Sequence, residues 1–280
     1  MFNVIFEQTE KYSYRDPAAY IKNGVIYLFF TLVENAEDGQ FFYVAECVSR
    51  DFIHWSEPVI LTEKDKNKNF SSPGNVILYN GEYYLCFQTY PRPNNETYGH
   101  NDSRVYIIKS KDLLHWEKPR LLKVKGNITV ENMGRMIDPY ILDDNGLFYC
   151  FFKQNGVSFS ASNDLMNWEF QGNTDCGENV CVVKQNGEYL IFHSPENGIG
   201  LLKTKDFKQF DDCGITTLQQ EKWKWAKDRI TAGFVLELPE EYDSRYALFF
   251  HGDNEGKHLF GASLAVLFFD SVDSLFSVSF

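Results

Sequence analysis

The chain of 280 residues sets 39 Asp and Glu against 27 Lys and Arg, a formal net charge of −12 at pH 7. With no block of five or more basic residues, that balance argues against nucleic acid or an anionic membrane as the main partner. Hydrophobic residues make up 44% of the chain and aromatics 16%, enough for one globular domain, and no apolar run reaches the roughly 18 residues of a membrane-spanning helix.

Residues 1–20 lack a basic stretch followed by an apolar one, so the chain as given carries no export signal and a cytoplasmic location is expected. Six cysteines include no Cys-x-x-Cys pair. They are expected to be reduced core residues, with Cys176 and Cys181 the one pair for which a bridge stays open.

In chain order the elements fall into a repeating unit: a strand, an Asn-Gly turn, an aromatic strand, a third strand, a Ser-x-Asp phrase and a short fourth strand. The first unit places its strands over 17–21, 25–32, 41–47 and 59–61. Asn-Gly stands at Asn23-Gly24, Asn80-Gly81, Asn145-Gly146 and Asn186-Gly187, the hairpin signal of a type I′ turn. The phrase Ser-x-Asp-Leu/Phe-x-x-Trp/Phe recurs at 49–55, 110–116, 162–168 and, weaker, 204–210, with starts 61, 52 and 42 residues apart. These intervals bracket the roughly 40 to 50 residues of a four-stranded propeller blade.

A degraded fifth copy is expected at Ser271-Val272-Asp273. The fifth unit places strands over 230–238, 245–251 and 259–269, and 2–7 adds the strand that closes the ring. The expected fold is therefore all-β, a five-bladed β-propeller in a single domain over 1–280. The phrases read as structural: their Ser and Asp bond the turn backbone while the Trp packs between sheets. The longest irregular segment, 90–103, is long enough to form part of a binding surface.

Counting back from the turn glycines reaches the start of each innermost strand. Asp16 and Asp138 lie eight residues before Gly24 and Gly146, Glu178 lies nine before Gly187, and the second unit has Ser72 and Pro73 at nine and eight. Three of four such positions are carboxylates, which would converge on one mouth of the axial channel. Their mutual repulsion raises at least one pKa. One protonated carboxyl beside one ionised carboxylate is what cleavage of a glycosidic bond requires.

Polar residues ending the second strands, Thr31, Gln88, Lys153, His193 and His251, are expected to form a ring below. Arg229 is a candidate for binding sugar hydroxyls or holding a carboxylate ionised, against a solvated surface charge. Trp225, beside Trp223, is a candidate sugar platform, with packing against the blade rim the other reading. Ser72, Tyr90, Arg15, Arg135 and, more remotely, His100 complete the substrate-binding candidates. There is no Gly-x-Ser-x-Gly elbow, Walker loop, Gly-x-Gly-x-x-Gly or His-Glu-x-x-His.

On three stretches, Arg15-Asp16-Pro17, Ile137-Asp138-Pro139-Tyr140 running on to Asn145-Gly146, and Gly177-Glu178 followed by 182–190, the chain resembles glycoside hydrolase family 43. The resemblance implies Asp16 as the general base that activates water, Asp138 as the group that tunes and orients the acid, and Glu178 as the general acid. It further implies inversion, a glycoside or oligosaccharide substrate ending in a pentose such as arabinofuranose or xylose, and no required cofactor.

His251 stands where related enzymes often place a histidine facing the channel centre, near a hydrated calcium ion; a buried histidine without metal is the alternative. Because no β-sandwich follows Phe280, the expectation tilts toward an arabinosidase-like enzyme. Related propeller families use the first Asp as a nucleophile and retain configuration, so a β-fructosidase-like or phosphorolytic enzyme stays open, as does a propeller that binds glycans without catalysis. The chain departs from the family pattern at Asn179-Val180 after the acid, and at Ser71-Ser72-Pro73-Gly74-Asn75 in the second unit.

Overall fold

In the computed structural model, which describes residues 2–254 and 258–277, the Asn-Gly pairs at 23–24, 80–81, 145–146 and 186–187 each close a hairpin with both residues at positive φ, from 51° to 55° for the Asn and from 70° to 88° for the Gly. That is the type I′ geometry. An N-terminal strand β1 (Phe2–Phe6) precedes five sheets. The first is β2 (Tyr12–Lys22), β3 (Val25–Ala36), β4 (Gly39–Ser49) and β5 (Val59–Ile60). The second is β6 (Phe70–Tyr79), β7 (Glu82–Thr89), β8 (Val105–Ser110) and β9 (Arg120–Leu121). The third is β10 (Ile137–Asp144), β11 (Leu147–Lys153), β12 (Val157–Ser162) and β13 (Glu169–Thr174). The fourth is β14 (Glu178–Gln185), β15 (Glu188–Ser194), β16 (Ile199–Thr204) and β17 (Asp211–Thr216). The fifth is β18 (Arg229–Glu237), β19 (Tyr246–Asp253) and β20 (Ala262–Phe269), with β1 outermost.

Strands β2, β6, β10, β14 and β18 touch one another in cyclic order, so the sheets form a ring of five blades. Pairing of β1 with β20, from Phe2 opposite Leu267 to Phe6 opposite Leu264, supplies the closing strand expected over 2–7.

The Ser-x-Asp phrase works as a plug. Ser49 Oγ accepts the N–H of Phe52 at 3.0 Å, and the Asp51 carboxylate accepts those of Ile53 and His54 at 2.9 and 2.8 Å; Ser110 with Asp112 and Thr204 with Asp206 repeat the pattern. These local bonds hold Phe52, Leu113, Leu165 and Phe207 at positive φ and bury them. The Trp packs across the blade seam, Trp116 edge-on to Phe29 at 5.7 Å and Trp55 to Phe249 at 6.4 Å. The expected fifth copy is instead a short helix α1 (Val272–Ser277), whose Ser271 Oγ accepts the N–H of Ser274 at 3.1 Å. Blade five takes its outer strand from the N-terminus, so its third strand needs no turn into a fourth.

Each innermost strand carries a bulge, between Arg15 and Ala18, Ser71 and Asn75, Ile137 and Tyr140, Glu178 and Cys181, and Thr231 and Phe234. At each bulge one residue has φ between 45° and 53°: Asp16, Ser72, Asp138, Asn179 and Ala232. These five are the true equivalents, which corrects the count from the turns. Glu178 stands one residue ahead of its blade's equivalent, Asn179, and the bulge of blade two is one residue longer, which is why Ser72 falls at nine.

The 71–75 segment that departs from the family pattern has a packing role here. A Cβ on Gly74 would lie 1.7 Å from the Pro139 carbonyl oxygen, and the Asn75 side chain bonds both the N–H and the C=O of Ile141, at 2.8 and 2.7 Å. Blades two and three therefore meet backbone to backbone beside the axis. All six cysteines are free, Cys176 and Cys181 included.

Candidate active site

The bulges aim their neighbouring side chains into a cavity of about 480 Å³ at one mouth of the axis, and Asp16, Asp138 and Glu178 all line it. The positive-φ backbone of these bulges is pinned from the preceding blade. His251 Nδ1 accepts the N–H of Asp16 at 3.1 Å, Thr31 Oγ1 that of Ser72 at 2.7 Å, Gln88 Oε1 that of Asp138, and Ser194 Oγ that of Ala232 at 2.7 Å. These four and Lys153, their counterpart in blade three, pair in register with the residue before each bulge: Thr31 with Arg15, Gln88 with Ser71, Lys153 with Ile137, Ser194 with Glu178 and His251 with Thr231.

The expected ring of second-strand residues thus has Ser194, not His193, as its fourth member. Alternation along the strand puts His193 elsewhere, with Nδ1 accepting the N–H of Gly177 at 3.0 Å. Lys153 has only donors to offer and reaches the Cys176 carbonyl at 3.5 Å.

Asp16 is held through one oxygen. Thr31 Oγ1 donates to Oδ2 at 2.9 Å and Ser72 Oγ donates to the same oxygen at 3.1 Å. Ser72 is itself buried and lines the cavity with both aspartates. Asp138 is buried, and burial with repulsion from Glu178 and Asp16 raises its carboxyl well above the usual range; Ser72 and Arg135 offset this only in part. The arrangement sets a buried carboxyl of raised pKa beside two further carboxylates in one cavity.

Asp253, which the sequence reading missed, organises the opposite wall. Arg15 Nη1 donates to its Oδ1 at 3.0 Å and Arg229 Nε donates to its Oδ2. Burial opposes its ionisation, but Arg15, His251 and Arg229 outweigh it and hold the carboxyl down at about 2. Its signal was available: Asp253 follows His251 by two residues, and so shares its face of the strand. Of the two roles considered for Arg229, it takes the carboxylate-holding one, with Asp253 as the unforeseen partner, while still lining the cavity with Arg15, Arg135, Tyr90 and Ser72. Phe42 and the exposed Tyr98 line it too, and neither stood out in the sequence.

The sequence profile described as "Glycosyl hydrolases family 32 N-terminal domain" matches residues 7–184. The chain belongs to this family. This family 32 protein is a glycoside hydrolase. Among curated proteins none matches it. Its fold is that of solved glycoside hydrolases. One is the family 117 enzyme Zg3597 of the marine bacterium Zobellia galactanivorans, 14% identical over 95% of this chain and 89% of that one, with a TM-score of 0.69. A second is the α-L-arabinofuranosidase of Podospora anserina in complex with cellotriose, 12% identical over 94% of each, TM-score 0.67. A third is a family 43 enzyme of Xanthomonas citri in complex with xylose, 12% identical over 94% of this chain and 89% of that one, TM-score 0.66.

Two further candidates of this family 32 propeller lie outside the cavity. Trp225 stacks on Trp223 at 5.4 Å and 9° and packs on Phe250 at 5.9 Å, the rim-packing role. His100 bonds Glu96 at 3.0 Å on the 90–103 loop.

The surroundings of His251 do not fit a calcium ion. Burial first, then Arg15, lowers its pKa to about 3, so the ring is neutral. With Nδ1 accepting from Asp16, the proton sits on Nε2, a buried nitrogen without a hydrogen-bond partner. Calcium requires six or more oxygen ligands, whereas the carboxylate facing Nε2, Asp253 at 4.0 Å, is already taken by two guanidiniums. Among the described residues no group of three His, Cys, Asp or Glu side chains is placed to hold a metal.

Proposed function

We propose that this hydrolase removes a terminal or short-chain pentosyl unit, arabinofuranosyl or xylosyl, with Asp16 as general base toward water, Glu178 as general acid toward the leaving oxygen, and Asp138 keeping Glu178 able to hold its proton. The observation that carries this reading is the convergence of buried Asp138 with Asp16 and Glu178 in one cavity. Water delivered to the anomeric carbon loses its proton to Asp16. The leaving oxygen takes the proton of Glu178, so the glycosidic bond breaks with no net change of charge. Thr31 and Ser72 orient Asp16 through Oδ2, leaving Oδ1 as the oxygen with capacity for the water. The pentose is supported by the xylose held by the Xanthomonas citri enzyme and by the arabinofuranosidase name of the Podospora anserina protein.

Asp16 acting as a nucleophile, with retention, is the second reading. It is favoured by the match to a propeller family other than family 43, since related propeller families use the first Asp in that way. Hydrolysis of nitrophenyl pentosides, nitrophenyl hexosides and fructo-oligosaccharides by wild type and Glu178→Gln, with product anomers followed by NMR, tests both. Pentoside turnover lost in the variant, with inverted product, is the expected result. Retained configuration transfers Asp16 to the nucleophile role, and turnover unaffected by the variant overturns the scheme.

A further inference from the structure

We propose that the glycoside accepted by this cavity carries a negatively charged group, a carboxylate or a sulfate, and that Arg135 binds it. The inference rests on the reading that the cavity is a glycoside site. Its basis is the charge on the walls. Three guanidiniums line the cavity, those of Arg15, Arg135 and Arg229. Arg15 and Arg229 share one carboxylate, Asp253, whereas among the described residues no carboxylate lies within 4.0 Å of Arg135. Among the described residues Arg135 is therefore the cavity guanidinium without a carboxylate partner.

The guanidinium of Arg135 is held in place without spending its charge. It lies over the Tyr90 ring at 5.6 Å, and Tyr90, itself buried, stacks on Phe42 at 6.0 Å and 15°. A cation over a π face is held electrostatically while its N–H donors stay available for an acceptor. The backbone around it is fixed as well. The Gln154 amide donates to the carbonyls of Met133 and Arg135 at 3.0 and 2.9 Å, and Arg104 donates to those of Val130, Gly134 and Asn101 at 2.8 to 3.1 Å. A neutral sugar offers this fork only hydroxyls, whereas a carboxylate or sulfate offers two oxygens in matching geometry. The preference expected from one charge-assisted pair is about tenfold or more in affinity.

Calorimetric titration of wild type, Arg135→Gln and Arg135→Lys with D-galactose, D-galacturonate and galactose 6-sulfate, at low and high salt, tests the inference. Wild type is expected to bind at least one anionic sugar about tenfold more tightly than galactose. The preference should shrink in high salt, be lost in Arg135→Gln and be partly kept in Arg135→Lys; which anion gains tells carboxylate from sulfate. Equal affinity for galactose and both anionic sugars overturns the inference. So does a preference that survives in Arg135→Gln, or no binding of any of the three. Neutral pentoside turnover, measured alongside, separates the two readings. Turnover without anion preference removes only this inference, and anion preference without turnover removes only the hydrolytic one.

Discussion

Glu46 lies on β4, buried in the seam between blades one and two, with Trp116 Nε1–H donating to its Oε2 at 3.1 Å. Burial pushes this carboxyl from its ordinary 4.5 up to about 7; the Trp116 bond pulls the other way and Asp112 adds repulsion. A rise from 4.5 to about 7 corresponds to about 3 kcal/mol. The sign follows from which state holds the proton. Below about pH 4.5 Glu46 is protonated folded and unfolded, and costs nothing. As pH rises from 4.5 to 7 the unfolded chain ionises first, so stability falls, and above 7 the whole cost is present.

Glu46→Gln keeps the shape and the acceptor for Trp116 but cannot ionise. Its stability relative to wild type is therefore expected to be near zero at the acid end and to grow to about 3 kcal/mol in its favour by about pH 8. Urea unfolding followed by tryptophan fluorescence, run on both proteins across that range, measures the gap. A gap that does not change with pH, or a wild type that is the more stable protein at the alkaline end, refutes the reasoning.

Asp253→Asn leaves Arg15 and Arg229 without their shared anion and is expected to lose at least about 2 kcal/mol at neutral pH in urea unfolding. Because the Asp253 carboxyl is depressed to about 2, the stability it confers is present above its ordinary value and is lost as pH falls toward 2, so the deficit should narrow on acidification. Asp138→Asn keeps the size of a buried carboxyl whose pKa is raised well above its ordinary value; unfolding should change by less than about 1 kcal/mol while kcat falls about 10²-fold or more. Equal loss of both would make Asp138 a structural residue. Gly74→Val drives a side chain into the Pro139 carbonyl and is expected to cost about 3 kcal/mol or prevent folding, read from the melting temperature.

The blades were legible because their signals are local. An Asn-Gly pair needs only its own two positive-φ residues, and the Ser-x-Asp phrase closes its own hydrogen bonds within a few residues. What failed were offsets of one residue and partners from distant strands. Bulge length is set by how closely two blades approach at the axis, as at Gly74 and Pro139, and counting from a turn cannot register it. Hence Glu178 was placed in line with Asp16, and His193 stood in for Ser194. Asp253 escaped because its role comes from Arg15, 238 residues away. Trp225 misled because an indole in a loop looks the same in sequence whether it faces a ligand or, as here, Trp223 and Phe250.

The offset of Glu178 has a chemical consequence. Asp16 and Asp138 sit on the bulge residue itself, where the backbone N–H is bonded to His251 or Gln88 of the preceding blade; their positions are thus set by the whole ring. Glu178 sits one residue earlier, in the blade whose preceding second strand ends in Lys153, a donor that cannot accept an N–H. In the proposed scheme, base and tuning group are therefore fixed by contacts between blades, while the acid is carried by register pairing within its own blade, opposite Ser194. A general acid must approach the leaving oxygen, give up a proton and accept one back before the next turnover, and the proposed scheme puts that role at the one bulge whose N–H the second-strand residue of the preceding blade, Lys153, cannot accept.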